Sequence, residues 1–443
     1  MRRFLSGIVG DEEKKIFLKL TSQTLVLRLF GMALLYGNQV LMARLMGVSE
    51  YGYYTVIMTW INFLVAFSIF GFDHSALRFF STYYNKQEWA RARGFLRLSF
   101  RIIALAAVVC MIAWFLFLWD KQQSVNIRDR YPRTYSEAFL WAMFVIPLLA
   151  IIYQSSAIFR SIHQIKLSLA SVYVMLPLGI SIASVVYYKM NAGKMQVDGA
   201  VLMNLLVTFL VAMFIIRKMK KRLRPKYGAE EPKYEAGLWF KTTVTFLAMN
   251  VLTLIIKQAD ILFVGHYFGP REAGIYSTAV KISALIPFGL SIVEYVYTPR
   301  ISSMFLKNDH KKLQEYISHA ARIIVFITIP LAIALIFSGK YLLMIFGKEF
   351  QSSYIPLIIL IVGQLINALT GMVGALMTMT GNQNVYLMVY LAASFVDIIL
   401  NITLVPRMGA VGAAIASAAS IIVLNIFMYV LVRKRLGLKA SIF

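Results

Sequence analysis

The sequence predicts an all-α polytopic membrane protein built as two lobes of six transmembrane helices each. Three observations predict it. Of 443 residues, 59% are hydrophobic and only 15% charged, with a mean hydropathy of +0.70, whereas a soluble chain carries about a quarter charged residues. Apolar runs of about 18 residues or more, long enough to cross a bilayer, recur along the whole length. A motif also repeats half a chain apart: Gly47, Glu50, Gly52 and Tyr54 return as Gly269, Glu272, Gly274 and Tyr276, an offset of 222 residues. Each copy follows an apolar run that holds a charge, and internal repeats of this kind are a common construction in membrane proteins that move solutes.

Twelve spans are expected, over roughly 21–43, 53–72, 95–119, 137–159, 168–188, 199–216, 242–264, 275–297, 320–338, 353–377, 386–404 and 410–432. The first 20 residues mix Arg2, Arg3, Asp11, Glu12, Glu13, Lys14 and Lys15 with short apolar pieces. They lack the order of a cleavable signal peptide, so the first run is expected to be retained. The connection after span 2 is basic (Arg78, Lys86, Arg91, Arg93, Arg97, Arg101) and reads as a surface amphipathic helix or as the solvated entry to span 3. The connection after span 6 holds Arg217, Lys218, Lys220, Lys221, Arg222 and Arg224, then Pro225, Gly228 and Pro232. A charge run followed by helix breakers marks a linker. The expected division is therefore an N-terminal lobe over 1–216, a linker over 217–241 and a C-terminal lobe over 242–443. Val197-Asp198-Gly199-Ala200-Val201 and Val411-Gly412-Ala413-Ala414-Ile415 open spans 6 and 12 alike, a weaker echo of the same repeat.

The net charge of +25 would suggest nucleic acid in a soluble chain. Here most of the 45 Lys and Arg fall in alternate loops, which is the positive-inside pattern, and no readout motif accompanies them. No nucleic-acid partner is expected. The chain is placed in the cell inner (plasma) membrane with both termini cytoplasmic. One cysteine, Cys110, excludes an intramolecular disulfide. The five histidines show no metal-like spacing, and no phosphate-binding Gly-Lys-Ser/Thr loop is present. Neither an ATPase nor any other enzyme is expected, and no cofactor.

Charges inside spans carry the functional signal, because each costs at least about 2.5–3.5 kcal/mol in hydrocarbon unless paired or watered. Arg28 lies two turns into span 1, and Gln39 shares its face at about 100° per residue. On span 7, Asn250, Lys257 and Asp260 fall within about 80° of arc. Under the repeat offset Arg28 maps onto Asn250, and Asn38 onto Asp260. The functional reading is a cationic, polar chamber between the lobes, holding Arg28, Lys257, Asn38, Gln39 and Asn250. The alternative for Lys257 and Asp260 is a local ion pair. Lys281 is expected to snorkel to the interface, and Glu294 to meet Arg300 or an inner-loop arginine. Asp397, with Asn401 one turn on, reads as a packed polar contact or a proton site. Pro147, Pro287 and Gly289 permit the bends that cavities need.

From Ala43-Arg44-Leu45-Met46-Gly47 to Tyr54 the chain resembles the polysaccharide (O-antigen and teichoic acid) flippases of the multidrug/oligosaccharidyl-lipid/polysaccharide exporter superfamily. The likeness continues at Phe70-Gly71-Phe72-Asp73, Leu77-Arg78-Phe79, Ala259-Asp260, Gly269 to Tyr276, Gly381-Asn382-Gln383 and Val405 to Ala414. The resemblance implies a V of two lobes that opens alternately to either side. It implies as cargo an undecaprenyl-type, lipid-diphosphate-linked saccharide, with membrane lipid, a polysaccharide polymerase and glycosyltransferases as partners. Arg28 and then Lys257 are the expected diphosphate contacts, since cations pair with that anion. Asp260, Glu294 and Asp397 are the candidates for coupling to H+ or Na+. The family often has fourteen spans where twelve are counted here. A cation-coupled drug exporter of the same superfamily and a non-transport scaffold for polysaccharide assembly are the competing expectations.

Overall fold

The computed structural model describes residues 11–123, 133–223, 231–306 and 310–441. Arg2 and Arg3 of the basic N-terminal cluster, and Arg224, Pro225 and Gly228 of the linker, lie outside these, as do the side chains of Lys14, Lys15 and Arg300.

The described residues are mostly helical, without a strand among them. The N-terminal half comprises α1 (Asp11–Ile69), α2 (Phe72–Ser75), a π-helical turn (Ala76–Phe80), α3 (Ser81–Asn85), α4 (Trp89–Gln123) and α5 (Arg133–Ser161). It continues through α6 (Ile165–Ala170), a second π turn (Ser171–Met175), α7 (Leu176–Met190) and α8 (Val197–Leu223). The C-terminal half comprises α9 (Ala236–Phe268), α10 (Pro270–Ser283), α11 (Leu285–Leu306), α12 (His310–Phe346), α13 (Tyr354–Leu369), α14 (Val373–Met379) and α15 (Gln383–Leu436). Lipid-facing surfaces explain the most exposed apolar side chains, such as Leu105 (67%), Phe326 (81%) and Phe337 (80%), which water would not tolerate in such number.

Among the described residues ten helices are long and apolar enough to cross a membrane, not twelve separate ones. The difference arises at two glycines. Gly47 (φ 77, ψ 170) breaks α1, and Gly409 (φ 58, ψ −136) breaks α15. At 1.5 Å per residue, an unbroken helix of 54 residues would run about 80 Å, over twice the hydrocarbon thickness. Each break therefore turns the chain back on itself without a loop.

The repeated motif acquires a geometry at these breaks. Gly269 (φ 89, ψ 169) joins α9 to α10 with nearly the dihedrals of Gly47, a region open to glycine and costly for other residues. The Glu50 carboxylate accepts from the Val197 N–H at 2.7 Å and so caps the first turn of α8. Gly52 and Gly274 let the two copies cross backbone to backbone. A Cβ on Gly52 would sit 2.0 Å from the Pro270 carbonyl oxygen, and one on Gly274 would sit 2.7 Å from the Gly52 Cα. The motif is thus the contact by which the two halves close one end of the bundle. Arg44 reinforces that end across the halves. Its guanidinium donates to the carbonyls of Met344 (2.8 Å) and Ile345 (2.6 Å) at the C-terminus of α12, where the helix dipole favours a cation.

At the opposite end the halves stay joined along one flank only. Gly71 meets the α9 backbone at Thr243 and Leu247, His74 stacks on Phe246, and Asn250 donates to Asp73 at 3.4 Å. The chain entering α9 is clamped there too. Lys233 N–H donates to the Ala90 carbonyl (3.0 Å), and Arg91 pairs with Glu235 (2.9 Å). Tyr83 donates to Glu235 (2.7 Å) and accepts from Trp239 (3.0 Å). On the other flank the first limb of α1 and α11 do not pack along one another among the described residues. The halves therefore part toward this end.

Candidate functional site

Between the halves lies a cavity of about 660 Å3. The N-terminal half lines it from both limbs of α1, with Met32 and Gln39 on one and Tyr54, Met58 and Asn62 on the other. The C-terminal half contributes residues of α9, α10, α11, α13, α14 and both limbs of α15.

Four charged side chains line it: Lys257, Lys281, Asp260 and Glu294. Two cations and two carboxylates therefore face a chamber that the sequence reads as cationic and polar. Lys281 is the correction of most consequence. It does not snorkel, because α10 is built of small residues (Ala273, Gly274, Ser277, Thr278, Ala279) that are buried in protein and give it no lipid face. Its ammonium donates to Gln39 Oε1 and to the Tyr51 hydroxyl, both at 2.7 Å, and lies 4.8 Å from the centroid of the Tyr51 ring. Tyr51 OH in turn donates to Gln39 Oε1 at 3.1 Å. All of these partners are neutral. A cation with neutral partners in a low-dielectric site keeps its field for an incoming anion.

Lys257 and Asp260 do not form the local ion pair that was the alternative reading. Lys257 exposes its side chain to the cavity, and its electrostatic neighbour is Glu294 of α11. Asp260, 2% exposed, is held by Tyr276 OH (2.5 Å) and Ser417 Oγ (2.8 Å) on Oδ2, and by the Ile261 N–H (2.8 Å) on Oδ1. The tyrosine that ends the second motif copy is therefore the anchor of this carboxylate. In the first copy Tyr54 instead accepts from Asn204 of α8 (3.1 Å). Asp397 is an electrostatic neighbour of Asp260 and is fully buried behind it. Asn401 Nδ2 donates to Asp397 Oδ2 at 3.2 Å. Asp397 Oδ1 and Asn401 Oδ1 are buried acceptors with no donor among the described residues. The adjacent Ser420 hydroxyl is committed to the Ala416 carbonyl (2.7 Å). These two buried oxygens leave the Asp397–Asn401 pair open to a further donor.

The other sequence-derived candidates lie elsewhere. Asn38 turns away from the cavity and donates to the Pro177 carbonyl (3.2 Å) and Ser181 (2.9 Å) of α7. Asn250 is spent on Asp73. Arg28 is half-buried and does not line the cavity; it lies one turn from the lining Met32, toward the parted end. The sequence reading also missed the amide bridge from Asn62 to Gln258 across the halves (3.1 Å), and the polar wall formed by Gln364, Asn367, Tyr386 and Tyr390.

Two halves closed at one end over a polar cavity give the bundle a V-shaped architecture. Two solved structures share this fold. The inward-facing conformation of a multidrug resistance MATE family transporter of the MOP superfamily matches with TM-score 0.70 and 13% identity, over 94% of this chain and 98% of that one. The lipid II flippase MurJ in an inward closed conformation matches with TM-score 0.70 and 16% identity, over 93% and 87%. Residues 41–355 match the family of polysaccharide biosynthesis proteins, and the chain belongs to it. Among its relatives is the membrane protein EpsK of Bacillus subtilis (strain 168), 20% identical over 413 residues, 90% of this chain and 80% of that one. Another is the probable low-salt glycan biosynthesis flippase Agl15 of Haloferax volcanii, 25% identical over 162 residues; that match spans 36% of this chain and about a third (34%) of Agl15.

Proposed function

We propose that this protein is a flippase that carries a lipid-diphosphate-linked saccharide across the membrane by alternating access. The observation that carries the reading is Lys281, a cation between the halves whose hydrogen-bond partners are all neutral. The diphosphate would displace Gln39 or Tyr51 from one ammonium proton and place its charge between Lys281 and Lys257. Arg28, one turn from the cavity lining toward the parted end, would meet it on entry.

Exposed Arg78 and Arg91 stand at the parted end, so the positive-inside rule turns that end toward the cytoplasm. The cavity then faces the leaflet where glycosyltransferases complete such a cargo. The closed end faces the leaflet where a polymerase would consume it. Opening on the flank between the first limb of α1 and α11 leaves the lipid tails in the bilayer while the head group crosses. Asp260 and Asp397 supply the coupling site, which takes a proton or Na+ on the undonated Asp397 oxygen.

A second reading, a cation-coupled exporter of amphipathic cations, draws on the cavity carboxylates Asp260 and Glu294. One experiment separates the two. The gene is deleted in its host, lipid-diphosphate-linked saccharide is quantified in the membranes, and the strain is restored with wild type, Lys281→Ala or Arg28→Ala. The proposal expects accumulation that wild type cures and Lys281→Ala does not. Drug sensitivity without accumulation would replace it with the exporter.

A further inference from the structure

The cavity has a second wall that the diphosphate does not explain. Tyr386 and Tyr390, one turn apart on α15, both line it, with ring centroids 4.7 Å apart at an interplanar angle of 37°. Tyr386 is braced from behind: a Cβ on Gly374 of α14 would lie 3.2 Å from its ring. Beside them on α13, Asn367 Nδ2 donates to Gln364 Oε1 at 3.3 Å. That bond fixes the two amides against each other and leaves Gln364 Nε2, a donor, and Asn367 Oδ1, an acceptor, uncommitted among the described residues. Glu294 is the electrostatic neighbour of both tyrosines.

We infer that this wall is the saccharide-binding face of the cavity, and that it selects a neutral or amine-bearing sugar against an acidic one. The inference rests on the flippase reading and adds to it the chemistry of the cargo. Tilted aromatic faces suit the C–H faces of a pyranose. A donor and an acceptor held at one turn's spacing match a pair of sugar hydroxyls, and a pocket built to hydrogen-bond a hydroxyl strongly rejects ligands that lack it. The charge selectivity follows from Glu294. It lines the same cavity as the two tyrosines, and in the flippase reading Lys257 faces the diphosphate. A uronate placed on the tyrosines would meet like charge in a low dielectric.

The test uses the full-length protein in nanodiscs and saturation-transfer NMR. The probes are neutral disaccharides (chitobiose, cellobiose, maltose), digalacturonate and farnesyl diphosphate. The inference expects at least one neutral disaccharide to bind wild type and Tyr390→Phe, and to bind Tyr390→Ala and Tyr386→Ala at least about tenfold more weakly. Digalacturonate should bind only after Glu294→Gln. Farnesyl diphosphate should be insensitive to the tyrosine variants and weakened by Lys281→Ala. Digalacturonate binding to wild type as well as the neutral sugars, or neutral binding untouched by Tyr390→Ala, would overturn the inference. Farnesyl diphosphate bound with no neutral sugar bound would overturn it too, while leaving the diphosphate reading in place. Neutral sugar bound without farnesyl diphosphate would keep the wall and remove the diphosphate site. Neither bound would remove both.

Discussion

Adding one methyl group at the crossing of the two motif copies should force the closed end apart. In Gly52→Ala the new Cβ would stand 2.0 Å from the Pro270 oxygen, 2.5 Å from its carbon and 3.0 Å from the Arg271 nitrogen. Ordinary contact begins near 3.4 Å, so the crossing must widen by about 1.4 Å. Every atom it meets is backbone, and no side chain can swing aside. Overpacking of this kind costs about 1–3 kcal/mol. The conformer with the halves separated at this end bears none of that cost, so the equilibrium should move toward it by roughly 5- to 150-fold. The assay is labelling of Ser283→Cys, a cavity-lining position, in a Cys110→Ala background. A membrane-impermeant thiol reagent is applied from the closed-end side. Wild type at Gly52 should label slowly and Gly52→Ala fast. Gly37→Ala is the control, because a Cβ there has nothing within 4 Å. A folded Gly52→Ala protein that labels at the wild-type rate would refute the claim that this crossing is the closure.

Three further outcomes follow from the same contacts. Asp397→Asn and Asp260→Asn should each leave disaccharide and diphosphate binding within a few-fold of wild type while removing the dependence of transport on a proton or sodium gradient; gradient-driven transport that persists in both would sink the coupling site. Glu50→Ala removes the cap of α8 and should lower stability by about 1 kcal/mol, read as a lower melting temperature in detergent, with Glu50→Gln recovering part of it. In the clamp at the parted end, burial first, and the hydrogen bond to Glu235 second, push the Tyr83 phenol up to about 12. Because the pKa is raised, the clamp's stabilisation should be complete below the unfolded tyrosine value of about 10 and lost only as pH climbs through the folded value. Unfolding measured between pH 6 and 9 should therefore show a Tyr83→Phe difference that does not change with pH.

Hydropathy was enough to read the fold class, because a bilayer demands long apolar helices that satisfy their own backbone. The motif was legible as a repeat because its glycines have no substitute: one takes a positive φ at the turn and the other lets two backbones touch. Its partner across the halves was not legible, since nothing in Gly52 alone says that Pro270 lies against it. The same limit governs the site. Asp260 and Asp397 stood out as acids in apolar runs. Its place near a span's end points Lys281 to the interface, whereas the small-residue character of α10 signals that lipid is out of reach. The repeat offset puts Asn38 in the chamber with Gln39, yet neighbours in sequence point about 100° apart, and Asn38 turns to Ser181 instead. The tyrosine and amide wall escaped notice because its members come from α13 and α15, and only packing brings them together.

The central claim is that Lys281 holds the anionic head group while the halves exchange access. It is tested most directly by reconstituting the full-length protein in proteoliposomes that carry a fluorescent, lipid-diphosphate-linked disaccharide. Movement of the head group between leaflets is followed by a membrane-impermeant quencher. The account predicts transport by wild type, and a loss of at least about tenfold in Lys281→Ala and Lys281→Met, with Lys281→Arg retaining a measurable part. Equal rates for wild type and Lys281→Ala, in protein that melts normally, would contradict it.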